Sequence, residues 1–365
     1  MGILSEKSKK TVTACRFCCM CRHLCPLGLA LGKELNNPRA KALILSMIEK
    51  GVVQESEIAE DIYECCLCNA CANNCETGYE PAIFIREVRS QFVAQGLAPS
   101  YVMEVIDKLL KDGTLYDVAA KETLEGFDLP QNKGAEVLVY VGQTAAVKEK
   151  DTAKALLSLL DKAGVAYSVV AENLSSGASE YDLIGEVNET KEVAKACAKI
   201  INAYNAKYLV VLDTSDARMM KQEYPAWNIE LNCEVCTATA FIDKLVDEGK
   251  LSVQKTSGVV TFHDPCRLAR DIHETEPARN LISAMGYTLK EMWQSKELTL
   301  ACGGEVMGAY APNHAQKTAQ NVMDNAAGTG AELLICACPS CEATMRRAQG
   351  IEVKDLFVLL DNQIS

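Results

Sequence analysis

The sequence predicts an α+β chain of several domains, a cysteine-rich helical part followed by two copies of an α/β unit with largely parallel sheets. Three observations predict it. Two cysteine runs, at 15–25 and 65–75, are separated and followed by segments of helical period. From residue 136 the period changes, and short apolar runs alternate with amphipathic helices. From residue 259 the same alternation begins again.

Each cysteine run carries one spacing. Cys15, Cys18, Cys21 and Cys25 fit C-x2-C-x2-C-x3-C with Pro26 behind the last, and Cys65, Cys68, Cys71 and Cys75 fit it again. This is the ligand spacing of [4Fe–4S] clusters in bacterial-type ferredoxins. The short gaps let three thiolates reach one cluster from a tight loop, and the fourth reaches across to the neighbouring cluster. The expected sets are therefore Cys15, Cys18, Cys21 and Cys75 on one cluster, and Cys65, Cys68, Cys71 and Cys25 on the other. Zinc ribbons do not need the third and fourth cysteines at these offsets. Cys19 and Cys66 fall between ligands and are expected to be spectators. Arg16 and Arg22 lie in the first loop, where they either raise the potential of its cluster or are solvated surface charges.

The 365-residue chain is 48% hydrophobic, enough for two or three ordinary cores. A net charge of −12 argues against nucleic acid or an anionic membrane as partner, since both need a basic face. No apolar run approaches the ~20 residues of a membrane span. Met1–Lys10 lacks the apolar core of a secretory signal, and Glu6 stands where myristoylation wants a hydroxyl. Eighteen cysteines without a leader are expected to be metal ligands in a reducing cytoplasm.

Residues 1–14 are polar and are expected to form a loose arm. Asn37-Pro38 starts a helix with Ala40, Leu43, Ile44, Met47 and Ile48 on one face and Gly51 at its end. A second, near 55–64, delivers Cys65. Pro81 starts a third, with Ile85, Val88 and Phe92 inward and Gly96 as its stop. Ser100 caps a fourth, with Val102, Val105, Ile106, Leu109 and Leu110 on one side and Gly113 beyond. The expected division is 1–113 for a helical ferredoxin domain, 114–134 for a linker, 135–250 for the first α/β copy and 255–365 for the second.

In the first copy, Glu136–Val141, Tyr167–Val170 and Tyr208–Leu212 read as buried strands, with helices at 151–163 and 189–204 between them. Val259–Phe262 and Leu333–Cys336 repeat the pattern around a helix near 275–285. Aligned copy to copy, Gln143 faces Cys266, Ile184 faces Cys302, and Asp213 and Asp216 face Cys338 and Cys341. One copy thus carries four thiolates at strand ends, where open α/β sheets hold ligands, and the other carries none. A four-thiolate set suits a third [4Fe–4S] cluster first and zinc second; a redox dithiol at Cys338 and Cys341 is the remaining alternative. His263 is expected to orient its turn by hydrogen bonds, with metal ligation as the alternative. Cys233 and Cys236 are expected to be structural rather than a redox pair, and Cys197 to be core. Gly303-Gly304 lacks the dinucleotide fingerprint, so no flavin or nicotinamide is expected on this chain.

At His263-Asp-Pro-Cys266, Ala301-Cys302-Gly303 and Cys338-Pro-Ser-Cys341 the chain resembles the cysteine-rich CCG domain of the heterodisulfide reductase D-type iron–sulfur proteins. That group includes the iron–sulfur subunits of glycolate oxidase and anaerobic glycerol-3-phosphate dehydrogenase. The resemblance implies a helical two-cluster ferredoxin domain joined to two CCG domains. The chain departs from it at Ala301, which leaves one of the family's five usual thiolates missing. Heterodisulfide reductases use full sets in both copies to hold non-cubane, disulfide-cleaving clusters. This chain therefore resembles an electron-transfer subunit of a cytoplasmic oxidoreductase complex. The implied partner is an FAD-dependent dehydrogenase of a 2-hydroxy acid such as lactate or glycolate, with an electron-transfer flavoprotein, a ferredoxin or a quinone at the other end. The competing reading is a disulfide or quinone reductase subunit with its active site at Cys266, Cys302, Cys338 and Cys341.

Overall fold

The computed structural model describes residues 4–127, 129–132 and 134–364. Met1–Ile3 of the expected arm, Asp128 and Lys133 of the 114–134 stretch, and Ser365 lie outside the described residues.

The strand–helix alternation is present twice. Strands β1 (Val137–Tyr140), β2 (Tyr167–Val169), β3 (Tyr208–Val211) and β4 (Glu234–Thr237) form a parallel sheet in the order β2-β1-β3-β4. Strands β5 (Val259–His263), β6 (Thr288–Leu289), β7 (Leu333–Cys336) and β8 (Glu352–Asp355) form a second in the order β6-β5-β7-β8. The two orders are one topology, so the duplication is visible in the fold. Central strands are buried on both faces and read as continuous apolar runs. The edge strands β4, β6 and β8 escape a sequence reading, because β6 has two residues and β8 alternates charge with Val353.

The two copies share one apolar core. Val139, Leu156, Leu160 and Val210 of the first belong to the same buried cluster as Phe262, Leu281, Ile335 and Phe357 of the second. Across this seam Thr152 donates to Glu342 at 3.0 Å and Lys162 pairs with Asp361 at 3.1 Å.

The amino-terminal part is helical. Helix Pro81–Gln95 buries Ile85, Val88 and Phe92 and stops at Gly96 in the left-handed conformation, as its sequence dictates. Helix Ser100–Asp112 likewise ends at left-handed Gly113. Two expectations fail here. Residues 6–14 are a docked helix rather than a loose arm, with Ser8, Thr11 and Val12 buried. Its inward hydroxyls have polar partners elsewhere: Ser8 Oγ donates to Glu87, and Thr11 Oγ1 accepts from Glu80 N at 2.6 Å, so no apolar period marks the docked face. Helix Pro38–Glu49 buries Ala42, Leu45 and Ile48 together with Lys41, while Leu43 faces solvent. Turning Lys41 inward rotates the helix away from its most apolar stripe.

Candidate metal centres

The two cysteine loops are folded alike. Phe17 and Cys19 in the first, and Leu67 and Asn69 in the second, have positive φ (54°, 66°, 52° and 59°). These are matching places, two and four residues after Cys15 and Cys65. Left-handed non-glycine residues cost energy. Their repetition in both loops turns successive backbone N–H groups inward, the concave form that receives the sulfides of an iron–sulfur cluster.

The second loop lines a cavity with Cys25, Cys65, Cys68, Cys71, Leu27 and Lys41 on its walls. All four thiols expected for the second cluster are thus brought together. Burial pushes the Cys25 thiol up to about 12, with Cys68 and Cys65 close enough to add to the effect. Burial also raises Cys71, and Cys68, Cys65, Cys25 and Cys21 contribute. Such thiols are neutral until a cation displaces the proton. At the first loop, burial raises Cys21 to about 11, beside Cys15 and Cys18. Thr77 holds Cys75 at this end, donating to Ala14 O at 2.8 Å while touching Cys75 Sγ at 3.3 Å. The first loop is superficial: Cys18 is exposed, and Phe17 and Met20 are about half exposed.

Charges near these loops differ from the sequence expectation. Arg22 is solvated in an exposed pair with Glu34, and Arg16 donates to Thr13 O at 2.9 Å on the surface. The cation that lines the second loop's cavity is Lys41, 3% exposed, whose ammonium donates to Asp61 O. Burial lowers its pKa, and Cys65 and Cys25 oppose that. Neither expected spectator is idle. Cys19 Sγ accepts from Arg39 at 3.0 Å, and a hydrogen bond from Cys66 brings Cys68 down to about 6, aided by Arg270 and Arg267.

The cysteines of the second α/β copy meet in a neighbouring cavity lined by Cys266, Cys302, Cys338 and Cys341. Cys65, Cys66 and Leu67 line this cavity as well as the one before it. One short stretch of backbone is therefore the partition between the two. It is fixed by buried arginines. Arg267 and Arg270, in the π-helical turn Arg267–Ile272 after Cys266, donate to Leu67 O at 2.8 Å and Cys68 O at 2.6 Å. Arg89 donates to Cys65 O at 2.6 Å from the other side, and Arg267 and Arg86 both pair with Asp182.

Within this cavity Cys338 caps helix Pro339–Met345 and Cys341 lies on its first turn. Cys302 precedes helix Gly304–Tyr310 behind Gly303, whose φ of 101° only glycine adopts readily. A hydrogen bond from Cys341 holds Cys302 well below an ordinary thiol, with burial opposing and His263 assisting. Burial raises Cys266 to about 12, with Arg267 and Arg270 opposing; Cys68 and Cys302 are both near enough to be felt. Cys336 lies behind, donating to Cys338 O at 3.5 Å. His263 does not orient its turn. Asp264 does so, accepting from Arg279 at 2.7 and 2.9 Å and from Lys296 N at 2.7 Å. Neither ring nitrogen of fully buried His263 has a partner, and its donor atom lies within 4.8 Å of those of Cys302 and Cys341.

The first copy corrects one alignment. Helices Ala178–Ile184 and Gly304–Tyr310 occupy the same place in the two units, and left-handed glycines, Gly177 and Gly303, begin both. Ser176, not Ile184, therefore stands where Cys302 stands. Ile184 packs instead at the far end of its helix with Tyr63, Met307 and Tyr310. Matching Gly185 to Gly303 in the sequence takes the end of the helix for its start. Asp213 holds the N-cap position of helix Thr214–Arg218, as Cys338 does in its counterpart, and unlike Cys338 it accepts a capping hydrogen bond, from Ser215 N at 2.8 Å. Cys236 lies on β4 and Cys233 just before it, both half-buried, with the Glu234 carboxylate 4.0 Å from Cys236 Sγ, and they form no converging group of three donor atoms among the described residues.

Residues 260–346 match the cysteine-rich domain CCG. The chain is 27% identical over 378 residues to the D subunit of the dihydromethanophenazine:CoB–CoM heterodisulfide reductase of Methanosarcina acetivorans, covering 95% of this chain and 92% of that one. It is 22% identical over 391 residues to the glycolate oxidase iron–sulfur subunit of Escherichia coli, covering 96% and 94%. It is 26% identical over 279 residues to the EtfAB:quinone oxidoreductase of Syntrophomonas wolfei, covering 72% of this chain and 39% of that one. The resemblance read from the cysteine motifs thus extends over most of the chain. Iron–sulfur oxidoreductase subunits among its relatives support an iron–sulfur, electron-transfer role. No helix among the described residues is long and apolar enough to cross a membrane.

Proposed function

We propose that this chain is the electron-transfer subunit of an oxidoreductase complex, passing single electrons between a flavin dehydrogenase, of a 2-hydroxy acid such as lactate or glycolate, and a further acceptor. The reading divides the chain into a two-cluster helical part over 1–113, a connection over 114–134, an α/β copy without a metal over 135–250, and a metal-bearing copy over 255–365. Cys15, Cys18, Cys21 and Cys75 hold one [4Fe–4S] cluster; Cys25, Cys65, Cys68 and Cys71 hold a second. Cys266, Cys302, Cys338 and Cys341 hold a third metal centre, read as iron–sulfur.

The single observation that carries this reading is the partition Cys65–Leu67, common to two cysteine-lined cavities. Iron–sulfur clusters, when bound, supply one-electron chemistry at tunable potential. The chain's own residues set the spacing and the surroundings. Arg89, Arg267 and Arg270 fix the partition by its carbonyls, so the distance between neighbouring centres does not depend on a mobile linker. Cys71 lies close enough to Cys21 to feel its charge, which supports reading the first and second sets as neighbours. The exposure of Cys18, Phe17 and Met20 supports a first set near the surface, within reach of a partner protein.

Iron, sulfide and zinc per chain on anaerobically purified protein, with low-temperature EPR after reduction, test the reading. About twelve irons are expected, four per four-cysteine set. About eight irons with one zinc would remove the third centre from any electron path and leave it structural. Reduction of the purified chain by a reduced flavin dehydrogenase of lactate or glycolate then tests the partner.

A further inference from the structure

We propose that His263 is a direct ligand of the third metal centre, binding it beside Cys302 and Cys341 and giving it a mixed imidazole–thiolate donor set. The inference rests on the reading that the cavity of Cys266, Cys302, Cys338 and Cys341 holds a metal.

The first observation is that the imidazole is orphaned. His263 is fully buried at the carboxyl end of β5; neither Nδ1 nor Nε2 makes a hydrogen bond of ordinary geometry, and the polar group it acts on is the Cys302 thiol. A buried polar group left unpaired costs about 1–3 kcal/mol, and native interiors keep such groups only with a reason. The neighbouring carboxylate that commonly receives a histidine N–H is taken: Asp264 is held by Arg279 and by Lys296 N.

The second observation is convergence. The donor atoms of His263, Cys302 and Cys341 all lie within 4.8 Å of one another. Ligands on one tetrahedral metal, with bonds of about 2.0–2.3 Å, stand roughly 3.3–3.8 Å apart, so modest rotation of three side chains brings them onto a common metal. Cys266 lines the cavity and is near enough to Cys302 and Cys68 for both to raise its thiol. The imidazole is not part of the cavity's lining and would reach the metal from behind Cys302 and Cys341, the two thiols its donor atom converges on.

The third observation comes from the other copy and is independent of the cavity. The register of β1 on β3 and of β5 on β7 makes Tyr140 the counterpart of His263. Tyr140 Oη has its own partner, Leu174 O at 2.5 Å. In that copy Gln143, Ser176, Asp213 and Asp216 replace the four thiolates. The imidazole is thus present where the thiolates are present and gone where they are gone, as a member of one ligand set should be.

A neutral imidazole beside these four thiolates, where a full set would have a fifth thiolate, leaves the centre one negative charge poorer and raises its potential. The test uses the full chain, purified anaerobically, with and without 15N-histidine. If iron fills the site, pulsed EPR is expected to show a strongly coupled nitrogen that changes with the label and disappears in His263→Cys. That variant is expected to keep its metal and shift the centre to lower potential. If zinc fills it, X-ray absorption at the zinc edge is expected to show imidazole scattering that His263→Cys removes, which supports the ligand while overturning the third iron–sulfur centre. A metal-filled cavity whose spectra ignore the label, and whose potential ignores His263→Cys, overturns the inference and leaves the proposed function standing. A cavity without metal, with the first two clusters intact, overturns the third centre and this inference with it. His263→Asn, closer in size to the ring and still polar, controls for loss of folding.

Discussion

Ser176 Oγ donates to Asp216 Oδ1 at 2.5 Å, in the place where Cys302 approaches Cys341 in the second α/β copy. The same contact is made through oxygen in one copy and sulfur in the other, so the first copy shares the backbone frame of the proposed third centre without its thiolates. Gln143, Ser176, Asp213 and Asp216 are its corners. Gln143→Cys, Ser176→Cys, Asp213→Cys and Asp216→Cys together are expected to let the chain take up roughly four additional irons on anaerobic reconstitution. The same quadruple variant with Ile184→Cys in place of Ser176→Cys is expected to gain none. Iron and sulfide per chain decide between the two registers.

Lys41 is the buried cation of the second cysteine cavity. A positive charge there favours the reduced, more negative state of a bound cluster. Lys41→Met is expected to lower the potential of one cluster by on the order of 50–100 mV, for a charge several ångströms away in a medium of effective dielectric near 20. Arg22→Met, on an exposed residue, should move no potential by more than a small fraction of that. Redox titration followed by EPR reads both, and equal shifts would refute the assignment.

Arg270 donates to Cys68 O at 2.6 Å, Thr299 O at 2.7 Å and Glu297 O at 3.1 Å. Arg270→Met leaves these carbonyls without their donor and is expected to cost about 2–4 kcal/mol. Iron content should hold, since no ligand is lost. The partition loosens, so the magnetic interaction between the second and third centres in the reduced protein is expected to weaken. An unchanged EPR line shape in a destabilised variant would show that Arg270 contributes to stability alone.

Glu180 is buried, with Ser175 Oγ as its donor at 2.8 Å. Burial lifts its carboxyl to about 7. A carboxyl raised in the folded state keeps its proton longer there than in the unfolded chain. Folding stability therefore falls as pH rises from about 4.5 to about 7, and the loss is complete above that, up to ~3 kcal/mol. Glu180→Gln is expected to melt close to wild type at pH 5 and several degrees higher at pH 8. A pH-independent difference in melting temperature would assign the effect to packing instead.

The parts of this protein that are legible in its sequence are those where chemistry fixes spacing. Two cysteine runs specify two like-folded loops, because three of the four ligands expected for each cluster must come from one tight turn. Apolar runs such as Leu209–Leu212 specify the central strands, which are buried on both faces. Illegible features have their cause in tertiary contacts. The docked helix Glu6–Ala14 buries the hydroxyls of Ser8 and Thr11, whose partners, Glu87 and the backbone at Gly78 and Glu80, lie some seventy to eighty residues on. Lys41 reads as a surface lysine until the cavity beside it is known. Ser176 reads as a loop serine, because only the helix it precedes reveals its counterpart. His263 is a ligand candidate already in the sequence, but its orphaned nitrogens become apparent only once Asp264 is seen to be occupied.

The partition between the two cysteine cavities has a consequence for how the protein is made. Cys65–Cys68 leaves the ribosome about two hundred residues before Arg267 and Arg270, which close over its carbonyls. During that interval the second cysteine set is open on the side later covered by the carboxy-terminal unit. Delivery of iron and sulfide is easiest then. After closure the same thiols lie behind a lid of arginine hydrogen bonds. Maturation is thus expected to follow the order of synthesis, with the amino-terminal clusters in place before the last α/β unit folds. Iron lost from the finished protein should be slow to return unless mild denaturant first opens that seam.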